Sequence, residues 1–249
     1  MSDIMLSLQE QGCHNIELVT PTAQLPRIME ALVEAQGMGL AIPLVYNCGG
    51  YEDPDVIRFL KNMVDVYLPD FKYGRADIAA TLSGAKDYVH YAVSSIQEMV
   101  RQVGDGLEMA DGIAQRGIII RHLVLPDMIS NSFDVLSLIK KHISIEVPVS
   151  IMAQYTPIAA VKSHPQLSRR ITPEEYERVV HFALDLGFDT IFCQDVDGRH
   201  LAPDFEKDMP FSWNQGESGK QDDSPSKICR KMKISLTTAD EIAMSTEKS

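Results

Sequence analysis

Runs of Val, Ile and Leu with little polar interruption alternate along this chain with stretches whose apolar residues recur every three or four positions. Uninterrupted apolar runs suit strands buried on both faces, and the three-to-four spacing marks helices with one buried face. Strands are predicted at 14–19, 42–46, 64–68, 117–125, 147–153 and 190–194. A helix over 25–36 places Leu25, Ile28, Met29, Leu32 and Val33 on one stripe. Further helices are predicted after Asp53-Pro54, over 89–103 and over 133–142. Thr172-Pro173-Glu174-Glu175 opens another, with a hydroxyl cap, a first-turn proline and two first-turn acids, and Gly187 closes it. The chain itself begins in a helical pattern through Ile4, Met5 and Leu8 that should stop at Gly12. The stretch 105–112 spaces its acids wrongly for a calcium loop and reads as a solvated loop.

Strand followed by helix, repeated along the chain, means a parallel sheet covered by helices, hence the α/β class. Polar residues gather just past the strand ends: Thr20 and Thr22, Asn47, Asp70 and Lys72, Asp127, Gln154, and Asp195. In parallel α/β folds that carboxyl edge is where ligands bind.

Composition narrows the classes. The chain has 249 residues, enough for one domain of this type. Lys and Arg number 23 against 35 Asp and Glu, a net charge of −12 that argues against nucleic acid and against an anionic membrane as partners. No apolar run approaches a membrane span, and no basic flank precedes an apolar stretch at the start, so no transmembrane helix or signal peptide is expected. The four cysteines, at 13, 48, 193 and 229, form no CxxC, which suits reduced thiols in a cytoplasm. Residues 214–249 carry six acids, six bases and no aromatic, and are expected to be a disordered tail behind a folded unit at 1–213.

Five runs, in order, carry a resemblance. They are Gln11-Gly12-Cys13-His14-Asn15-Ile16-Glu17-Leu18-Val19-Thr20-Pro21-Thr22, Val45-Tyr46-Asn47-Cys48-Gly49-Gly50-Tyr51, Tyr67-Leu68-Pro69-Asp70-Phe71-Lys72-Tyr73, Arg121-His122-Leu123-Val124-Leu125-Pro126 and Ser150-Ile151-Met152-Ala153-Gln154-Tyr155. Together they resemble the radical S-adenosylmethionine (SAM) proteins, in the branch similar to pyruvate formate-lyase activating enzyme, over about residues 1–200. The resemblance implies a partial (β/α)6 TIM-like barrel and two cofactors, S-adenosylmethionine and a [4Fe–4S] cluster held by a CxxxCxxC motif after the first strand. It implies reductive cleavage of S-adenosylmethionine and hydrogen-atom abstraction from a glycyl-radical enzyme or a small molecule. The electron donor would be a protein such as flavodoxin or ferredoxin.

The chain departs from that pattern in having no CxxxCxxC and in opening with a helix, so it offers no metal ligands of its own. The resemblance implies that the first strand and the cluster motif would lie upstream of Met1. A chain lacking its front piece is the expectation, and a protein that has lost its cluster is the rival. With no first strand, residues 14–19 would form an unpaired sheet edge prone to association. A second departure is Ala23-Gln24, where this branch has His-Phe.

The candidate cofactor-binding set is Thr20, Thr22, Asn47, Asp70, Lys72, Arg121 and Gln154, with no catalytic residue assigned; the resemblance implies that Asp70 and Lys72 lie around the S-adenosylmethionine site and Thr20 and Thr22 near its methionine end. The residue chemistry fits independently. Alternation puts Asp70 and Lys72 on one face at a strand exit, as an acid and a base. Arg121 lies in an apolar strand, where a charge is costly unless paired. Asn47 precedes two glycines that let backbone approach a ligand, although Asn and Gly also favour ordinary turns. Thr20 and Thr22 can bond a ligand or cap the next helix, and Gln154 can read a ligand or tie a loop. Cys48, His14 and His122 read as structural, and Arg169-Arg170 as a surface pair. Two other readings remain open: a cluster-less binding barrel, and a lyase using Lys72 as a Schiff-base amine.

Overall fold

Each predicted apolar run forms strand in the computed structural model, which describes residues 1–196. The fold is mixed α/β with parallel sheets. Helix α1 (Ser2–Glu10) leads into β1 (Ile16–Val19), α2 (Leu25–Gly37), β2 (Leu44–Cys48), α3 (Pro54–Phe59) and β3 (Val66–Pro69). Then come α4 (Ala76–Ser83), α5 (Tyr88–Val103), β4 (Leu107–Ala110), β5 (Ile113–Ile118) and β6 (Ile120–Leu123). The described part ends with α6 (Ile129–His142), β7 (Val149–Met152), α7 (Pro173–Leu186) and β8 (Ile191–Cys193). The expected tail at 214–249 and the boundary at 213 lie outside the described residues.

Strand order is β1-β2-β3-β5-β4 in one sheet and β6-β7-β8 in the other, parallel throughout except for β4 against β5. The single strand predicted at 117–125 is therefore two. Gly117 and Ile118 pair with Val66 and Tyr67, and from Ile120 onward the chain pairs with β7 instead. Gly117 lets β4 lie close against β5: a Cβ there would lie 2.2 Å from the Gly106 carbonyl oxygen. The two sheets stay joined where Phe71 N–H donates to Arg121 O at 2.8 Å, beside a parallel bridge between Asp70 and Arg121.

Two expectations need correction. Residues 105–112 are not a solvated loop: they contain β4 and a tight turn at Asp111-Gly112, both with positive φ, which closes a hairpin onto β5. The stretch at 76–83, for which the sequence pattern predicted no element, forms α4, whose short alanine-rich sequence gives a weak apolar stripe. Val33 also leaves its expected stripe and is 59% exposed.

The sheets bury their two faces differently. Tyr46, Tyr67, Ile118, Ile120 and Ile151 point beneath the helices into the main core. Helix α5 meets them with Tyr88, Ala92, Ile96 and Met99, and α6 and α7 lock together through stacked Phe133 and Phe182. The opposite face carries a small cluster of Val45, Val66, Leu68 and Ile119. Burying a fully enclosed Ile or Leu contributes about 1.5–3 kcal/mol, so the helix-covered face supplies most of the stability.

Candidate active site

The small-cluster face ends in charge. Continuing its alternation past the strand ends brings Asp70 after β3, Arg121 in β6 and Gln154 after β7 to one edge. They line a cavity of about 260 Å³ with Lys72 and Tyr73, against an apolar wall of Leu123, Leu125 and Met152. Arg121 thus points away from the helices, while its neighbour His122 points under them.

A chain of side chains runs across this edge. Arg121 Nε donates to Asp70 Oδ1 at 2.9 Å, and Arg121 Nη2 lies 2.6 Å from the same oxygen. Arg121 Nη2 also donates to Asn47 Oδ1 at 2.7 Å. Asn47 Nδ2 in turn donates to Glu17 Oε1 at 2.6 Å. Lys72 Nζ stands 3.6 Å from Asp70 Oδ2. The lysine side chain is 46% exposed against 26% for Arg121, so Lys72 is the cation more open to a ligand.

The irregular segment after β3 is fixed at almost every backbone polar atom. Asp70 N–H donates to Cys48 O. Lys72 N–H donates to the Tyr88 hydroxyl at 2.8 Å, and that hydroxyl shares its own proton between Gly49 O and Asp70 O, both at 3.0 Å. Asn131 Nδ2 donates to Lys72 O, and Asn131 Oδ1 accepts from Gly74 N–H. His122 Nδ1 lies 2.7 Å from Phe71 O. A carbonyl only accepts, so Nδ1 carries the proton, and Nε2 of the neutral ring accepts from Ser132 Oγ at 2.8 Å. Burial holds His122 down at about 4, which keeps it neutral near pH 7. These contacts leave Asp70 and Lys72 pre-organised, with little freedom to lose on binding.

The other expected residues fall elsewhere. Thr20 is exposed with φ 50, a left-handed value that is strained for a β-branched residue, and its N–H extends the ladder to Asn47 O at 2.8 Å. Thr22 sits on the helix side. Its hydroxyl lies 2.9 Å from both Glu52 carboxylate oxygens and 3.1 Å from the Tyr46 hydroxyl. Burial raises the Glu52 carboxyl, and the Thr22 hydrogen bond opposes that shift. So the structure gathers Asp70, Lys72, Arg121 and Gln154 at the cavity, links Asn47 to them through Arg121, and puts Thr22 in a separate cluster with Glu52. Gln154 Oε1 accepts from Gln194 Nε2 at 3.5 Å.

Cys48 is buried on the helix side, and burial pushes its thiol up to about 12, so it is no thiolate nucleophile. Arg169 is no loose surface cation. It pairs with Glu175 at 2.8 Å and with Asp127 at 2.5 Å, pinning the segment before α7. Its hydrogen bonds hold Glu175 down at about 2.

Sequence reasoning missed Glu17, Tyr88 and Asn131. Only Glu17 left a signal, as an acid inside an otherwise apolar strand.

The donor set of the cavity, one carboxylate, two cations and an amide beside an apolar wall, suits a ligand that carries charged groups on an apolar body. It does not fit an iron–sulfur cluster. Among the described residues no three His, Cys, Asp or Glu side chains gather as a metal site, and Cys13, Cys48 and Cys193 lie on different elements. Among the described residues no helix is long and apolar enough to cross a membrane.

No family model matches the chain. An uncharacterized protein of Methanocaldococcus jannaschii is 29% identical to it over 168 residues, 67% of this chain. The match covers 45% of the archaeal protein, so the chain spans less than half the length of this relative.

Proposed function

We propose that the chain is a radical S-adenosylmethionine protein of the type similar to pyruvate formate-lyase activating enzyme, and that the cavity at its strand ends binds S-adenosylmethionine. The observation that carries this reading is the meeting of Asp70 and Lys72 after β3, Arg121 in β6 and Gln154 after β7 on one cavity. The partial (β/α)6 barrel belongs to the same proposal. It is supported by the Asp70–Arg121 bridge, which joins the β3 edge to the β6-β7-β8 sheet and so continues one parallel series of strands in sequence order.

In this reading Lys72 binds the ligand's carboxylate by charge-assisted hydrogen bonding, and Asp70 accepts from an amino or hydroxyl group. Leu123, Leu125 and Met152 cover the apolar part of the ligand and exclude water from it, and Gln154 reads its polar rim. In the family S-adenosylmethionine supplies a 5′-deoxyadenosyl radical on one-electron reduction. The [4Fe–4S] cluster needed for that electron would require thiolates from outside the described residues, so no radical step is assigned to the residues described. A flavodoxin- or ferredoxin-type donor, a glycyl-radical enzyme or small-molecule target, and a cytoplasmic setting belong to the same proposal for the whole protein.

Calorimetry of the chain with S-adenosylmethionine tests the reading. Binding that weakens about tenfold in Lys72→Ala supports it, tenfold being the size of one charge-assisted contact. No binding by the wild-type chain overturns it. A second reading, a cluster-less binding module, is favoured by the lack of any CxxxCxxC in the 249 residues. The protein isolated from its native host separates the two: a stoichiometric iron–sulfur absorbance there, with reductive cleavage of S-adenosylmethionine, rejects the second, and its absence rejects the first.

A further inference from the structure

We propose that Glu17 is a positioning residue for the cavity: through the Asn47 amide it holds the Arg121 guanidinium on Asp70, so that Lys72 is the cation presented to a ligand. The ligand's identity rests on the reading above, whereas the relay itself does not.

The argument begins with register. Glu17 of β1 lies opposite Val45 of β2, and Val19 opposite Asn47. Aligned residues of parallel strands share a face, so Glu17 projects on the same side as Val45, Asn47 and Leu68 rather than under the helices. A carboxylate beside Val45 on that face needs a partner, and Asn47 provides it at 2.6 Å.

The ends of the relay are chemically opposite. A guanidinium has only donors and an ionised carboxylate only acceptors. The amide between them therefore satisfies both in one orientation, Oδ1 toward Arg121 and Nδ2 toward Glu17, as observed at 2.7 Å and 2.6 Å. That orientation gives Arg121 a second acceptor besides Asp70 and fixes the plane of its guanidinium. Asp70 then turns Oδ1 to Arg121 and leaves Oδ2 facing Lys72 at 3.6 Å. Glu17, Asp70, Lys72 and Arg121 sum to zero charge, with the lysine most exposed to the cavity.

The test is nitrogen-15 NMR of the Arg121 Nε–H in the full chain. The wild-type protein and Glu17→Gln, which keeps an acceptor for Asn47, are expected to show slow exchange of this proton with water. Glu17→Lys sets a donor against a donor, and Asn47→Leu cuts the relay at unchanged charge. Both should speed the exchange about tenfold, the size of one lost charge-assisted hydrogen bond. Both should weaken binding of S-adenosylhomocysteine, which carries no net charge, by a similar factor. Equal exchange rates in the wild-type protein, Glu17→Lys and Asn47→Leu overturn the proposal, as does faster exchange in Glu17→Gln matching that of Glu17→Lys. Should Glu17→Lys fail to fold, Asn47→Leu decides alone. Absence of ligand binding in the wild-type chain counts against the proposed function, and the exchange rates still judge the relay.

Discussion

Arg121 Nη2 lies 2.6 Å from Asp70 Oδ1, across 51 positions of sequence and at the place where the two sheets join. The pair is both a seam of the fold and a wall of the cavity, so stability and binding are coupled at this point.

Asp70→Asn removes the charge facing a guanidinium that is only 26% exposed. Loss of one partner of such a pair costs about 2–3 kcal/mol, less than the figure for complete burial. The urea midpoint should fall accordingly, and affinity for S-adenosylmethionine should fall with it. Lys72→Ala should instead weaken binding while leaving the urea midpoint nearly unchanged, because Lys72 is half exposed.

Tyr88→Phe leaves the Lys72 N–H without its hydroxyl acceptor in a buried place. The cost should be about 1–3 kcal/mol. Amide exchange at Lys72 should accelerate well beyond that of amides in the middle of α5.

Gly50→Ala places a Cβ 1.9 Å from the Asp70 carbonyl oxygen, at φ 74. Backbone must move, and the displaced atom belongs to the site segment. The variant should lose ligand binding and melt lower. Gly12→Ala shares a positive φ of 84 but meets open space, so it should cost only about 1 kcal/mol and leave binding intact.

Acid should weaken the fold through His122. Its folded pKa is about 4, below the ordinary value of 6.5, so the unfolded chain takes up the proton first. Stability is then fully present above pH 6.5, falls as pH drops through that value, and stops falling near 4. The loss approaches about 3 kcal/mol. Urea midpoints measured between pH 7 and pH 4 check this, and His122→Gln should flatten the profile.

Much of the architecture was legible locally. The apolar runs marked six strands, and the caps at Asp53 and Thr172 marked two helix starts, both present as side-chain hydrogen bonds to Asp55 N–H and Glu175 N–H. The split at Ile119 was not legible, because a strand that changes partners remains one apolar run. The β4–β5 hairpin was passed over because its polar residues resembled solvent exposure, and α4 because alanines leave little periodic contrast.

The site divides in the same way. That Asp70, Lys72, Asn47 and Gln154 stand at strand ends and Arg121 inside an apolar strand follows from the sequence, since alternation and turn chemistry act over a few neighbouring residues. That four of them meet at one cavity, that Thr22 turns instead to Glu52, and that Glu17 reaches Arg121 through Asn47 was decided by strand order and register. Those contacts join residues 30 to 74 positions apart, and no local pattern encodes which distant strand becomes the neighbour.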